Sequence, residues 1–530
     1  MRYQSVNSGP LSGGLNLRDS PDQLQPGQAY DLLNVAFTAR GGVQSRPGYT
    51  DWAASANVFT NRVDSLGGYY TGSAWQVIAG NGLKLEARSA AGALVGSAAV
   101  PTAFPHYFTR FAAPGSASPV LYAANGTDSV RQWDGSTWTT PTFVGTAPTG
   151  KFLTVAPWDN RLVNARRSGT SGGDNKSSVR FSNPSLPATF ETYNWVDLTP
   201  GDGESITGIC SFADYIFVFK ESKFFVFYGT GISAEDGTPE FSYRTVDTGI
   251  GLAADNLLCV GDDGVYFVDS NGVYRTSGSA PVLVSDVIDP LFAGVIGTFY
   301  SGSAINNASL SAARMVFHNK QVMLAVPTGA SAVNDTLLIF DPRYNTWNRW
   351  NLSCSALLNI DLTGVGHVLL FGLATGSNNV EKLAMTSNDA SLDGTANITS
   401  FIKLGYTDLG VSENKTVREQ QVWGTGTLRF ALGKDFSGSR NSSEVVFGRL
   451  ADKWNDGSGT DTWGDGTSAT DVWSGGESAD VKLFRKSVRG LIFSIELYSG
   501  SASPVPAWSV NRIVNRLREQ RVPSVQKTDR

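Results

Sequence analysis

Apolar residues in this chain come in short runs parted by Gly, Asn and Asp, with no sustained helical spacing. The runs 75–79 and 83–86 flank Gly80, Asn81 and Gly82, and Asn-Gly supplies the backbone angles of a two-residue hairpin. Runs 215–219 and 223–228 flank Lys220, Glu221 and Ser222, while 257–260 and 265–268 flank Gly261, Asp262, Asp263 and Gly264. Between about 61 and 400 such groups recur as paragraphs of roughly 35 to 65 residues, each holding about four short strands, which is how degenerate propeller repeats are written. One small twisted sheet cannot bury both faces, whereas a ring of sheets packs every face on a neighbour. The pattern predicts an irregular β-propeller of about six blades over residues 51–400. A pair of β-sandwiches is the alternative architecture.

The two ends follow other grammars. Across residues 1–50 polar turn elements alternate with single apolar residues, which predicts an extended N-terminal arm packing on neighbours or on a platform. Beyond residue 400 the runs 404–409, 417–423, 427–431, 445–447, 481–484, 491–497 and 508–514 are longer and alternate more cleanly. They predict a β-sandwich-like platform domain over 401–530. A Trp/Gly-rich loop at 450–478 interrupts it, with Trp454, Trp463 and Trp473 each followed by turn chemistry. Rings displayed on a glycine-rich excursion suit a surface gripped by protein or glycan. Rings folded back as a cap on the parent sheet are the other reading. Residues 512–530 carry six basic side chains against two acidic ones, which reads as a solvated tail able to meet an acidic neighbour.

Composition sharpens this picture. The 530 residues include 58 Gly and 22 Pro but only 4 Met, and 17% are charged, so the chain should be all-β with very little helix. A net charge of −5 gives nucleic acid no electrostatic hold. No apolar stretch reaches the length of a membrane span or signal core, so the expectation is a protein soluble at synthesis. Cys210, Cys259 and Cys354 are far apart and odd in number, which predicts buried reduced thiols.

Candidate chemistry is sparse. With only His106, His318 and His367 there is little material for a histidine triad or metal centre. No phosphate-binding glycine loop, nucleophile elbow or paired Cys-x-x-Cys occurs. Asp197, Asp202, Glu204, Asp262, Asp263 and Asp269 are the carboxylates from which a propeller glycosidase pair could be drawn, but most sit in turns where Asp bonds its own backbone. Asp456, Asp461 and Asp465 match no calcium-loop spacing. Arg161, Arg166, Arg167, Lys176 and Arg180 read as a solvated basic rim. The expectation is therefore no catalytic residue, no cofactor and no metal.

Gly13, Gly14, Leu15, Asn16, Leu17, Arg18, Asp19, Ser20 and Pro21, then Leu33, Asn34 and Val35, then Arg46, Pro47 and Gly48 form a phrase that resembles the opening of bacteriophage tail tubular or nozzle proteins and related propeller-containing tail proteins. The end of the chain, with Asp408, Leu409, Trp423 and Trp508, is similar to theirs. The resemblance implies a virion structural protein, assembled in the host cytoplasm, that forms a homo-oligomeric ring of about six copies. Its partners would be portal or adaptor and tail-fibre or tail-tip proteins, with non-specific passage of double-stranded DNA through the lumen. Expected partner contacts are Leu15, Asn16, Leu17, Arg18, Leu33, Val35, Trp454, Trp463 and Trp473. A tail-tip or baseplate adhesin binding host glycan or protein is the alternative. If the arm stitches a ring, deleting residues 1–30 should abolish assembly and leave the propeller folded.

Overall fold

A computed structural model of the chain describes residues 4–519 apart from 54–58, 104, 113–118, 146–151, 159, 166–175, 192–193, 233–238, 256, 363–365, 377, 385–391, 411–413, 438–439, 448–479, 485–487 and 501–506. It divides into two compact units, Tyr49–Thr298 with Gly302–Met385, and Met1–Gly48 with Phe299–Ser301 and Thr386–Arg530.

The larger unit is a β-propeller of four-stranded antiparallel sheets. Their first strands are Val63–Tyr70, Tyr107–Phe111, Thr154–Trp158, Ile206–Phe212, Leu258–Gly261, Arg314–His318 and Cys354–Leu362. Each lies beside the first strand of the next blade and the last lies beside the first, so seven blades close a ring. The count exceeds the expected six or so because the seventh blade is composite. Cys354–Leu362, Gly366–Leu373 and Val380–Leu383 are contiguous, but the fourth strand, Tyr49–Asp51, precedes the first blade in the chain. In sequence that blade is only part of a meander.

Aromatic residues fill seams between blades. Trp158 and Phe181 of the third blade pack with Phe227 and Phe241 of the fourth. Trp133 is fully buried, and its indole N–H donates to Gln76 Oε1 of the first blade at 2.8 Å. A buried cation reinforces one seam: Lys220 Nζ reaches Ser177 Oγ at 2.9 Å, Thr199 Oγ1 at 3.1 Å and Asp202 Oδ2 at 2.8 Å. Hydrogen bonds and a counter-ion are the conditions under which an ammonium tolerates burial.

The smaller unit joins both ends of the chain. One sheet runs Val35–Phe37, Val43–Ser45, Ser509–Glu519, Lys415–Thr425 and Asp480–Phe484, with Gln4–Asn7 also paired to Ser509–Glu519. The other runs Gly14–Leu15, Gln28–Leu33, Phe401–Leu404, Phe493–Ser499, Thr427–Lys434 and Arg440–Val446. The described residues of the expected arm up to Gly48 thus supply strands to both sheets of this unit, and Tyr49–Asp51 goes to the propeller. Trp508, fully buried, donates to Ser400 Oγ at 2.9 Å and ties the start of Ser509–Glu519 to the other sheet. Helix among the described residues amounts to Asp289–Ala293 and two 3-10 turns, and none is long and apolar enough to cross a membrane.

Candidate functional site

The first strand of every blade contributes to one cavity of about 440 Å³ on the axis of the larger unit. Its wall includes Tyr107, Pro157, Ile209, Val260, Met315 and Leu358, with Asp64, Arg110 and Arg314 as the charged members. The charges are already engaged. Asp64 accepts from Arg62 at 2.7 Å, Arg110 lies over the Trp75 ring at 5.7 Å, and Arg314 donates to the carbonyls of Ser311 and Ala313.

The carboxylates singled out in the sequence do not line it; among the described residues Asp64 is the one carboxylate in its wall. Asp202 is the counter-ion of Lys220. Burial pushes its pKa up, but the hydrogen bonds from Lys220 and Thr199 overcome that and hold it well below the usual carboxylate range. Asp263 binds Arg275 at 2.6 Å and accepts from the Tyr266 hydroxyl at 2.8 Å. Asp269 caps a hairpin by accepting from Asn271 N at 3.0 Å, and Glu204 accepts from Ser222 Oγ. A glycosidase needs two carboxyl groups about 5 to 10 Å apart across a substrate, and Asp202, Glu204, Asp263 and Asp269 are engaged by these contacts in turns and seams.

Two of the three histidines meet. His318 ends the first strand of the sixth blade, His367 begins the second strand of the seventh, and their rings stack at 6.3 Å, 11° from parallel. Asn359 stands between them. Its Nδ2 donates to Phe317 O at 3.1 Å and faces His367 Nε2 at 3.4 Å, which leaves its Oδ1 to accept from His318 Nδ1 at 3.0 Å. Burial pushes the His318 pKa down; the bond to Asn359 opposes this and His367 adds to it. The third histidine, His106, is buried beside Asn125. All three cysteines are buried free thiols, and desolvation raises the pKa of Cys210 and Cys259 far above the thiol range.

The expected partner contacts separate by burial. Leu15, Asn16 and Val35 are buried within the smaller unit itself and so belong to its core. Asn16 explains the phrase around it: its Nδ2 donates to Asp19 and Gln28, and its Oδ1 accepts from the backbone N–H of Arg18 and Asp19. Gly13 is needed because a Cβ there would stand 2.6 Å from Gln28 N. Leu17 and Leu33 are half-buried, and Arg18 is exposed. Trp454, Trp463 and Trp473 lie outside the described residues.

Two charged readings change. Arg512–Glu519 is strand rather than tail, with Arg512 over the Trp423 ring at 5.1 Å and Arg516 bound to Glu419 at 3.0 Å. Arg161 is buried and donates to Ser182 O, and Arg180 lies over Trp195, so these two do not form a solvated rim. Arg46 had no assigned role. Fully buried, it grips Asp393 through both terminal nitrogens at 2.8 and 2.5 Å and donates from Nε to Asn34 Oδ1 at 2.9 Å.

No family model matches the chain, and no curated protein matches it in sequence. Among solved structures it is similar to BBS1N as crystallised in complex with ARL6DN and soaked with lead, at 11% identity and a TM-score of 0.41 over 65% of this chain and 99% of that one. The mercury-soaked crystal of the same complex gives 11% identity and a TM-score of 0.40 over the same shares.

Proposed function

We propose that this chain is a structural protein of a bacteriophage tail, a nozzle or tube component that works as a homo-oligomeric ring. The observation that carries the reading is the way the family-like phrases at the two ends are spent. The opening phrase and the closing strands build one two-sheet unit, and the propeller is an insertion between them. That is the platform-and-propeller organisation the resemblance implies. Engaged charges in the axial cavity and carboxylates committed to turns favour a scaffold over a catalyst.

The propeller's own axis is not the genome's path in this reading. A cavity of about 440 Å³ holds a small molecule, whereas the major groove of B-DNA alone is about 12 Å wide. The passage would be the hole enclosed by several copies, and Arg18, exposed on the smaller unit, is one contact candidate that burial leaves open.

Mass photometry with negative-stain class averages of the purified chain, alone and with neighbouring tail proteins, tests this. Closed rings with an axial hole wide enough for a duplex are expected. Monomers or compact trimers that never close, even with partners, would replace the nozzle with the adhesin.

A further inference from the structure

The strand that closes the propeller, Tyr49–Asp51, pairs with Val380–Leu383 in the register Asp51 to Glu381, Thr50 to Lys382 and Tyr49 to Leu383. Two carboxyl groups therefore stand directly opposite each other at the seam of the ring. Glu381 is only 4% exposed, and its side chain is within hydrogen-bonding reach of Asp51.

Like charges directly opposed in a ladder repel, and Glu381 is buried away from the water that would screen it, whereas Asp51 stays exposed. One proton resolves this, because a protonated carboxyl donates to its ionised partner. We propose that Glu381, the buried member, keeps its proton and donates it to Asp51 across this ladder, and that this hydrogen bond is a latch on the seventh blade that weakens when the proton leaves.

Among the described residues Glu381 forms no ion pair. Phe371 lies opposite Glu381 on the adjoining strand, with Tyr49 edge-on to its ring at 5.4 Å. Lys382, the neighbour along the strand, pairs with Thr50 and Leu370, and side chains alternate faces. Asn379 reaches Asp51 Oδ1 at 3.4 Å as a neutral donor. Burial first, then the charge and hydrogen bond of Asp51, push Glu381 up to about 7 from an ordinary 4.5.

The sign follows. A carboxyl whose folded pKa is raised stabilises the closed ladder fully below its unfolded value, and that stability fades as pH climbs towards the folded value. The seam is therefore tightest in acid and loosest from neutrality upward.

Hydrogen exchange on the full chain, corrected for intrinsic pH dependence, reads this directly. Protection at Tyr49–Asp51 and Val380–Leu383 should be flat below about 4.5, fall about tenfold per pH unit to about 7, then level off. Protection at Tyr215–Lys220 in the fourth blade should not follow that profile. Glu381→Gln keeps a donor and discards the charge, so it should hold acid-level protection throughout. Asp51→Asn removes the opposing charge but leaves Glu381 buried, so the fall should persist over a narrower pH span, and this variant decides the matter if the first fails to fold. A flat wild-type profile, or variants that keep the whole wild-type profile, overturns the latch.

Discussion

Single residues in this molecule matter most where a charge has been buried. Arg46 is inside the smaller unit with Asp393 and Asn34 arranged around its guanidinium, and truncating one member leaves the other uncompensated. Arg46→Ala should destabilise that unit by about 3 to 5 kcal/mol, read from urea denaturation of the full chain. Arg46→Lys should recover little, since an ammonium cannot make the two-pronged contact. A cost below about 1 kcal/mol would place the pair among exposed ion pairs instead. His318 gives a pH-dependent counterpart. Its folded pKa lies below its ordinary value, so its contribution is complete above about 6.5 and is lost as pH falls through the folded value. Thermal unfolding between pH 5 and 7 should show a loss of propeller stability that His318→Gln diminishes. An unchanged slope in the variant would remove His318 from that account.

At the scale of elements, legibility followed locality. Hairpins such as the one around Asn81 and Gly82 could be read because the turn residues sit between the strands they join. The hairpin of the sixth blade uses Asn319 and Lys320 with φ of 49° and 60°, and lysine gives no turn signal. Tyr49–Asp51 could not be assigned to its blade at all: three residues carry too little pattern, and their partners lie at the far end of the propeller. The first fifty residues looked like an arm for the same reason, since nothing near them says that their ladders form with Phe401–Leu404 and Ser509–Glu519. The contact candidates failed to separate because an alternating phrase marks which residues are apolar, not which sheet buries them. Leu15 and Val35 went to the core, and Arg18 did not. This alters the truncation experiment. Removing residues 1–30 takes away Leu11, Leu15, Ala29 and Tyr30, all buried, so the smaller unit should lose its cooperative unfolding before any question of assembly arises. The propeller should survive that deletion yet fail when truncation passes Asp51, because an open seventh blade exposes the seam formed by Trp52, Val63, Leu370 and Val380. Limited proteolysis of the two truncations distinguishes them. Equal resistance of the propeller in both would mean that the closing strand contributes little.

For the molecule as a whole, both ends of the chain belong to the smaller unit and most of the propeller's residues fall between them in sequence. A ring-forming scaffold built this way would place demands on surface charge rather than on any pocket. DNA moving through a protein tube must be repelled weakly and held nowhere, because each phosphate neutralised by a cation adds affinity through counterion release. The chain has 42 Lys and Arg against 47 Asp and Glu. Several of its arginines are already committed, Arg46 to Asp393, Arg275 to Asp263, Arg343 to Asp341 and Arg516 to Glu419. Fluorescence anisotropy with a labelled duplex should therefore give no saturable binding at about 0.15 M salt, where the screening length is about 8 Å. Lowering the salt should produce little gain, since a shallow salt dependence is what few phosphate contacts give. Tight binding with a steep salt slope would instead reveal a basic surface, and the nozzle reading would then have to yield to a protein that grips nucleic acid.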